Sequence, residues 1–429
     1  MGSYCHYMIG KFTIASFKYD MDPSFYDIYD LKTMLFKEKN DLYGEMLYFS
    51  NNVKDARRRH NLKRHITLDE LRSWFRSCID DNYQIYSYYE EVYNGDEGKI
   101  ERAILKEFAY EKYVNSLKEL FELLFSKNHF EKIENDYEKE DERKKVFDEM
   151  VGNYKDESII NKFIYDSFVE REFSFNADDL LLMNGDFNYI LKTFLITLPE
   201  TLMINFEFGE FYSSFDDEDL NDLIKKDKSQ KTMIVTEGST DMYYLKPMLS
   251  YLLPAFENCF AFAPMELIES SCSSIAKYYK FLAESGIKNN CIFVFDDDVA
   301  GNEAYDSLPK RENEYIKKMT LPSCDELSSY PCYDFEGNVK DMDIRGKAIS
   351  IELMFPNSCL LVEGKKSPIR WETYNKKRNS YQGKISDKTI VQKNIKEFVK
   401  NPTIKPDDTE FEKLKTLFNS MIDKFDFKM

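Results

Sequence analysis

Residues 292–305 read IFVFDDDVAGNEAY, so four bulky apolar residues run straight into three consecutive aspartates. An apolar run without alternation belongs to a strand covered on both faces, as in a parallel sheet flanked by helices. Three adjacent carboxylates repel one another, so their place at the end of such a strand needs a chemical reason. In extended backbone Asp296 and Asp298 share one face, and Asp297 points to the other. The segment therefore predicts a buried strand that delivers a pair of carboxylates to one side of its carboxyl end.

A second strand end carries acids of the same kind. TMIVTEG (232–238) is an apolar run closing on Glu237 and Gly238, with Asp241 one helical turn further on. Helical stretches follow at MYYLKPMLSYLL and SIAKYYKFLAESGI, before the DDD strand. This βαβ rhythm predicts a parallel, Rossmann-like sheet, whose functional groups gather at the carboxyl ends of its strands. Two carboxylates on one face and a third from a neighbouring strand suit a hard cation, Mg²⁺ or Mn²⁺. Such an ion offsets the repulsion that would otherwise raise their pKa values.

The remainder of the chain reads differently. Residues 4–20 alternate loosely around Gly10 and suggest a hairpin. KIERAILKEFAYEKYVNSLKELFELLFSK (99–127) has Leu105, Phe108, Tyr113, Leu117, Leu120 and Leu124 at helical spacing, and 157–206 is also largely helical. DDEDLNDLIKKDKSQK (216–231) is a polar boundary. Four segments are expected: 1–80 with some β structure, a helical domain over 81–227, an α/β domain over 228–360, and a basic extension over 361–429.

Composition limits the function. The net charge is −18, which argues against a general nucleic-acid coat. Residues 363–400 nevertheless hold eleven Lys/Arg against four Asp/Glu, with Trp371, Tyr374 and Tyr381 interleaved. Lys365, Lys366, Arg370, Lys376, Lys377 and Arg378 are its candidates for tracking a phosphate backbone. The eight cysteines form no CxxC pair and histidines number four, so a zinc ribbon or His-rich metal site is not expected. No apolar stretch is long enough to span a bilayer and no secretory leader is visible, so a cytoplasmic location is expected. No GxxxxGK[ST] loop is present, which removes an ATPase from consideration.

Glu-Gly with Asp four positions after the Glu, then DxDxxG some sixty residues later, resembles the signature of the Toprim domain of topoisomerases, bacterial primases and several nuclease families. MGSYCHYMIGKF, the stretch from Glu269 to Asn290, residues 337–355 and 369–385 are similar to bacterial proteins joining a HEPN-type helical region to a Toprim domain. The resemblance implies an α/β Toprim domain beside an α-helical HEPN-like domain, and metal-dependent phosphodiester chemistry on DNA or RNA such as tRNA. By position Glu237 would act as general acid/base or metal ligand, Asp296 and Asp298 as Mg²⁺ ligands, and Asp241 in support. Gly238 and Gly301 would permit tight turns, and Glu266, with Glu269 as competitor, would supply a further acid. A role as toxic effector in anti-phage defence follows, as a homo-oligomer or within a defence complex and with no membrane partner. The chain departs from the family pattern at Ser270, Ser271, Ser273 and Ser274, where a glycine pair is usual, and at Asp297, where Asn is frequent.

Two further patterns compete. Glu363 in LLVEGKKS follows an apolar run but lacks the later Asp, and reads as a turn before a basic segment. Arg59 and His65 have the spacing of a HEPN ribonuclease site, yet residues 57–65 read better as a basic surface turn, leaving the helical domain a silent dimerisation or sensing module. A regulatory or scaffolding protein that binds metal or nucleic acid without cutting is the reading from another class.

Overall fold

The computed structural model describes residues 4–9, 12–18, 25–40, 44–80, 83–125, 140–170, 187–207, 230–264, 271–311 and 313–426. The chain divides into two units, Met1–Ser229 with Phe427–Met429, and Gln230–Asp426. Most of the polar boundary, and both Glu266 and Glu269, lie outside the described residues.

The first unit contains an antiparallel sheet. The alternating segments β1 (Tyr4–Ile9) and β2 (Phe12–Lys18) form the expected hairpin pairing. β3 (Leu35–Asn40) pairs with β4 (Gly44–Asn52), and β5 (Met203–Glu207) lies between β1 and β4 to give the order β2-β1-β5-β4-β3. Because Glu207 faces both His6 and Tyr48, the sheet is completed only after the helical region has been traversed. The segments 1–80 and 81–227 thus share one unit. Tyr7, Phe25, Tyr29, Phe49 and Phe206 pack ring against ring on this sheet, with Tyr7–Phe206 centroids 4.8 Å apart and Phe25–Phe206 4.7 Å.

The periodic stretch 99–127 is two helices, Glu97–Glu107 and Tyr110–Phe125, with the break at Phe108-Ala109. The second buries Tyr113, Leu117, Leu120 and Leu124 as its spacing predicts. Leu105 instead is 55 % exposed, because the first helix buries the face of Ile100, Ala103 and Ile104.

Residues 57–65 are not a surface turn. Residues 57–63 belong to a helix, Val53–Lys63, in which Arg57, Arg58, Arg59, His60, Asn61 and Lys63 are all buried, and Arg64 and His65 follow it half-buried. The cations are donors for a short helix, Phe25–Ile28, whose last carbonyls have no helical partner. Arg59 gives Nε to the Ile28 carbonyl at 2.9 Å and Nη2 to that of Tyr29 at 2.9 Å, and Lys63 Nζ reaches the Tyr26 carbonyl at 2.7 Å. Arg64 pairs with buried Asp27 at 2.6 Å. Positive charge at a helix carboxyl end is also favoured by the helix dipole. Arg59 is fully buried as a donor to these carbonyls, so it is not presented to a substrate as a ribonuclease site with His65 would require. Replacing it leaves buried carbonyls unpaired, and Arg59→Ala is expected to cost about 2–3 kcal/mol in denaturant unfolding.

The second unit is a mixed α/β fold around a four-stranded parallel sheet in the order β10-β8-β6-β7. Its strands are β6 (Thr232–Thr236), β7 (Phe260–Phe262), β8 (Cys291–Phe295) and β10 (Ile316–Thr320). All five residues of β8 are buried, as the unbroken apolar run predicts. Phe293 and Phe295 pack with Val235, Ile275, Tyr279, Leu282 and Ile316 in the core. The helix Cys272–Glu284 contributes Ile275, Ala276, Tyr279 and Leu282 from one face, and each large apolar side chain so buried stabilises the fold by about 1.5–3 kcal/mol.

A short β9 (Asp297–Asp298) leaves the sheet and pairs with β13 (Ala348–Ile349). A second sheet has the order β12-β11-β16-β17, built from β11 (Tyr330–Tyr333), β12 (Val339–Met342), β16 (Ile369–Asn375) and β17 (Ser380–Ile385). Between them β14 (Leu361–Val362) and β15 (Lys365–Lys366) pair through Glu363-Gly364, both at positive φ, so this stretch is the turn its sequence suggested. The basic segment after residue 360 is therefore woven into the α/β unit: Cys332 pairs with Ile369, and the Gly383 amide donates to the Lys347 carbonyl at 3.0 Å. Among the described residues no helix is long and apolar enough to cross a membrane.

A candidate acidic centre at the switch of the parallel sheet

In the order β10-β8-β6-β7, β6 is the first strand in sequence and its two neighbours are the second and third. The connections leaving β6 toward β7 and leaving β8 toward β10 therefore diverge, and a crevice opens outside their carboxyl ends, which is where open α/β sheets bind ligands. Glu237 follows β6 and Asp296 follows β8, in adjacent strands that pair Thr236 with Val294. The topology alone thus sets the two acids side by side.

Glu237 spans the gap: its Oε1 accepts the Asp296 amide at 3.0 Å. Asp298 caps the helix Val299–Asp306, Oδ1 accepting the Gly301 amide at 2.7 Å, while Oδ2 accepts the side-chain amide of Gln382 from β17. Asp241 opens the helix Asp241–Leu252 and folds back to accept the Gly238 amide at 2.9 Å. Asp297 turns to the other side, as the pleat predicts. Its oxygens take the Asn302 side-chain amide at 2.9 Å and the Gly346 amide at 3.0 Å, tying the strand end to a distant turn. A cavity of about 580 Å³ on that side is lined by Asp297, Tyr305, Thr320 and Ser323 among others.

Neither predicted turn glycine has a positive φ. Gly301 is required by close approach to backbone, and Gly238 lies close to the movable Asp241 carboxylate. A Cβ on Gly301 would stand 2.3 Å from the Asp296 carbonyl oxygen and 3.0 Å from Glu237 Oε1, and one on Gly238 would stand 2.5 Å from Asp241 Oδ1. Backbone at 2.3 Å cannot yield without moving the strand end, so Gly301→Ala should cost about 1–3 kcal/mol by thermal melting and displace Glu237.

The charges are poorly compensated. Burial pushes Glu237 up to about 7, helped by the charges of Asp298 and Asp241 and opposed by the Asp296 amide. Burial likewise lifts Asp241 to about 7, with Glu352 adding to it. Asp296 is driven well above the carboxylate range by burial and then by Glu237, Asp241, Asp298 and Glu352. Asp298 is also raised, mainly by burial. The nearby cation is Lys388, half exposed and 3.1 Å from Glu352 Oε1. Burial raises Glu352, but Lys388, Ser350 and Gln392 outweigh it and hold the group below its ordinary value. The amino end of the helix Cys272–Glu284 borders the group, and the Cys272 thiol is pushed up to about 11 by burial and by Glu237 and Asp298. Ser271 caps that helix through the Ser274 amide at 3.2 Å, so serine rather than glycine closes this loop.

Glu352, Lys388, Gln382 and Gln392 join the centre although the motifs do not contain them. Two signals existed. Glu352 interrupts the apolar ISIELMF, where a charge is out of place unless buried with partners. Lys388 begins the helix Lys388–Lys400, at the end where the helix dipole disfavours a cation.

The proposed phosphate-tracking residues are scattered among different partners. Lys366 pairs with Glu326 at 2.8 Å, and Lys377 with Glu303 at 2.8 Å. Arg378 bonds the Asn302 carbonyl at 2.6 Å and pairs with Asp306. Arg370 lies 5.8 Å from the ring centroid of Tyr333, and Lys365 and Lys376 are exposed.

The donor set is wholly oxygen, from five acids beside one lysine, and this chemistry fits a hard divalent cation. Among the described residues, no three His, Cys, Asp or Glu side chains are arranged as a ready metal-binding group. The carboxylates stand as neighbours whose oxygens are partly engaged by amides, so holding an ion requires them to exchange those hydrogen bonds. No family model, curated protein or solved structure matches the chain.

Proposed function

We propose that the second unit is a Toprim-like, metal-dependent nuclease that hydrolyses phosphodiester bonds, consistent with a toxic effector in anti-phage defence. The observation that carries this reading is the set of carboxylates at the switch point, raised by burial and then by one another, beside one lysine. A centre that served stability alone would not gather such charges, since each is costly to bury unpaired. Perturbed acids in a strand-end crevice are the usual mark of a working site.

Asp241, Asp296 and Asp298, with or without Glu237, would hold Mg²⁺ or Mn²⁺. The ion supplies Lewis acidity, polarising a phosphoryl oxygen and neutralising developing charge. Glu237, lifted by burial to about 7 in the ion-free centre, would accept a proton from an attacking water or return one to the leaving oxygen where Asp241, Asp296 and Asp298 hold the ion and Glu237 stays off it. Gln382 orients Asp298, and the Asp296 amide orients Glu237. Lys388 stands ready to balance the anionic centre or an incoming phosphate.

The test incubates the full chain with Mg²⁺ or Mn²⁺ and single-stranded DNA, duplex DNA, tRNA or total RNA, beside Glu237→Ala and Asp296→Ala. Cleavage by the wild type alone, lost in EDTA, supports the proposal. Equal cleavage by all three proteins removes it, and so does cleavage that survives EDTA.

A further inference from the structure

Three aromatic side chains stand in solvent on the second sheet without a core to fill. Phe335, between β11 and β12, is 82 % exposed, Tyr374 on β16 is 41 % exposed, and Tyr381 on β17 is 38 % exposed. They nevertheless touch one another: ring centroids are 5.3 Å apart for Phe335–Tyr381 and 4.9 Å for Tyr374–Tyr381. A contiguous exposed cluster of large rings marks an interaction surface, whereas single exposed apolar residues do not.

The surroundings define the partner. The hairpin Ile369–Ile385 carries Arg370, Lys376, Lys377, Arg378 and Lys384 against one acid, Glu372, in a chain whose net charge is −18. Lys384 meets Glu372 at 2.9 Å in an exposed pair that a phosphate can displace. Lys377 and Arg378 are bound by Glu303 and Asp306 of the helix Val299–Asp306, which anchors the hairpin on the helix that Asp298 caps. Gln382, next to Tyr381 in sequence, donates to Asp298 and accepts the Ala300 amide at 3.0 Å. Successive residues of a strand face opposite sides, so the rings stand on the outer face of the hairpin whose inner face holds Asp298 and the helix Val299–Asp306.

Resting on the nuclease reading, we infer that Phe335, Tyr374 and Tyr381 form a stacking platform for unpaired bases, so that the substrate is single-stranded nucleic acid or an unpaired segment. Aromatic rings beside cations bind single strands because every free base offers a π-face. A duplex hides those faces and would gain only from the cations. A protein partner would find the rings but not use the excess of Lys and Arg in the hairpin, which matches a polyanion.

The experiment measures binding of labelled dT and rU oligonucleotides, and of a duplex of equal length, to the full chain by fluorescence anisotropy in EDTA at fixed salt. The single strands should bind at least about tenfold more tightly than the duplex. Phe335→Ala/Tyr381→Ala should lose about tenfold or more for single strands with an unchanged thermal melt, and Tyr381→Phe should retain binding. Equal affinity for duplex, an unaffected double variant, or capture of peptides but of no oligonucleotide overturns the inference. Because no turnover is needed, the two proposals fail separately. Metal-dependent cleavage indifferent to the double variant removes the platform and keeps the nuclease. Ring-dependent binding without any cleavage does the reverse.

Discussion

Asp296→Asn is expected to lower metal-dependent hydrolysis by about 10³-fold or more, and at the same time to raise the melting temperature of the metal-free protein at pH 8. The two effects have one cause. Asp296 feels burial and the charges of four other acids, and those are what lift its pKa. Asparagine keeps the shape and removes the charge, so the repulsion vanishes along with the means to hold a cation. Below about pH 4, under the ordinary pKa of an unfolded aspartate, the cost of that charge is absent and the two proteins should melt alike. Loss of activity with a lower melting temperature at pH 8 would instead identify Asp296 as a structural acid whose partners it stabilises, and would sink the claim that the centre trades stability for function.

Much of that centre could be read from the chain. The unbroken apolar run before Asp296 specified a doubly covered strand, and the two-residue pleat separated Asp297 from Asp296 and Asp298. Asp297 indeed bonds Asn302 and Gly346 on the other side. The sequence could not show that β6 and β8 would be neighbours at a switch point, because strand order is fixed by long-range pairing. For the same reason Glu352, Gln382 and Lys388, which lie 54–92 residues beyond Asp298 and Asp296, left only faint local signals. The strand β5 shows the same difficulty on a larger scale, since it completes a sheet begun two hundred residues earlier. The reading of 57–65 failed in the opposite direction. Charge-rich segments are usually solvated, but here helix-end carbonyls needed donors, and buried Arg59 and Lys63 provide them.

The metal-free second unit should lose stability as pH rises from about 5 to 8, and Mg²⁺ should restore it increasingly over the same range. Glu237 and Asp241 titrate near 7 in the folded state, well above ordinary carboxyls. A raised folded pKa means that the native state binds more protons than the unfolded chain between those values. Their contribution is thus fully present below the unfolded pKa and is lost as pH climbs through about 7. A shift of this size at a buried group is worth on the order of 4 kcal/mol for Asp241 alone, or about 10 °C of melting temperature. Glu352 has the opposite sign, lowered mainly through Lys388 against its burial, so its contribution falls away only in acid and leaves the window above pH 5 undisturbed. A divalent cation that binds only the folded unit stabilises in proportion to its occupancy, and competes with protons for the same oxygens. The measurement is Trp371 fluorescence on heating, in a Trp74→Phe background so that the second unit alone reports, at pH 5, 6, 7 and 8 with chelator or Mg²⁺. Asp241→Asn, which still accepts the Gly238 amide, separates this local titration from the general repulsion of a chain at −18. If the wild type and Asp241→Asn lose stability in parallel, or Mg²⁺ stabilises equally at pH 5 and pH 8, the carboxylates do not form a cation site.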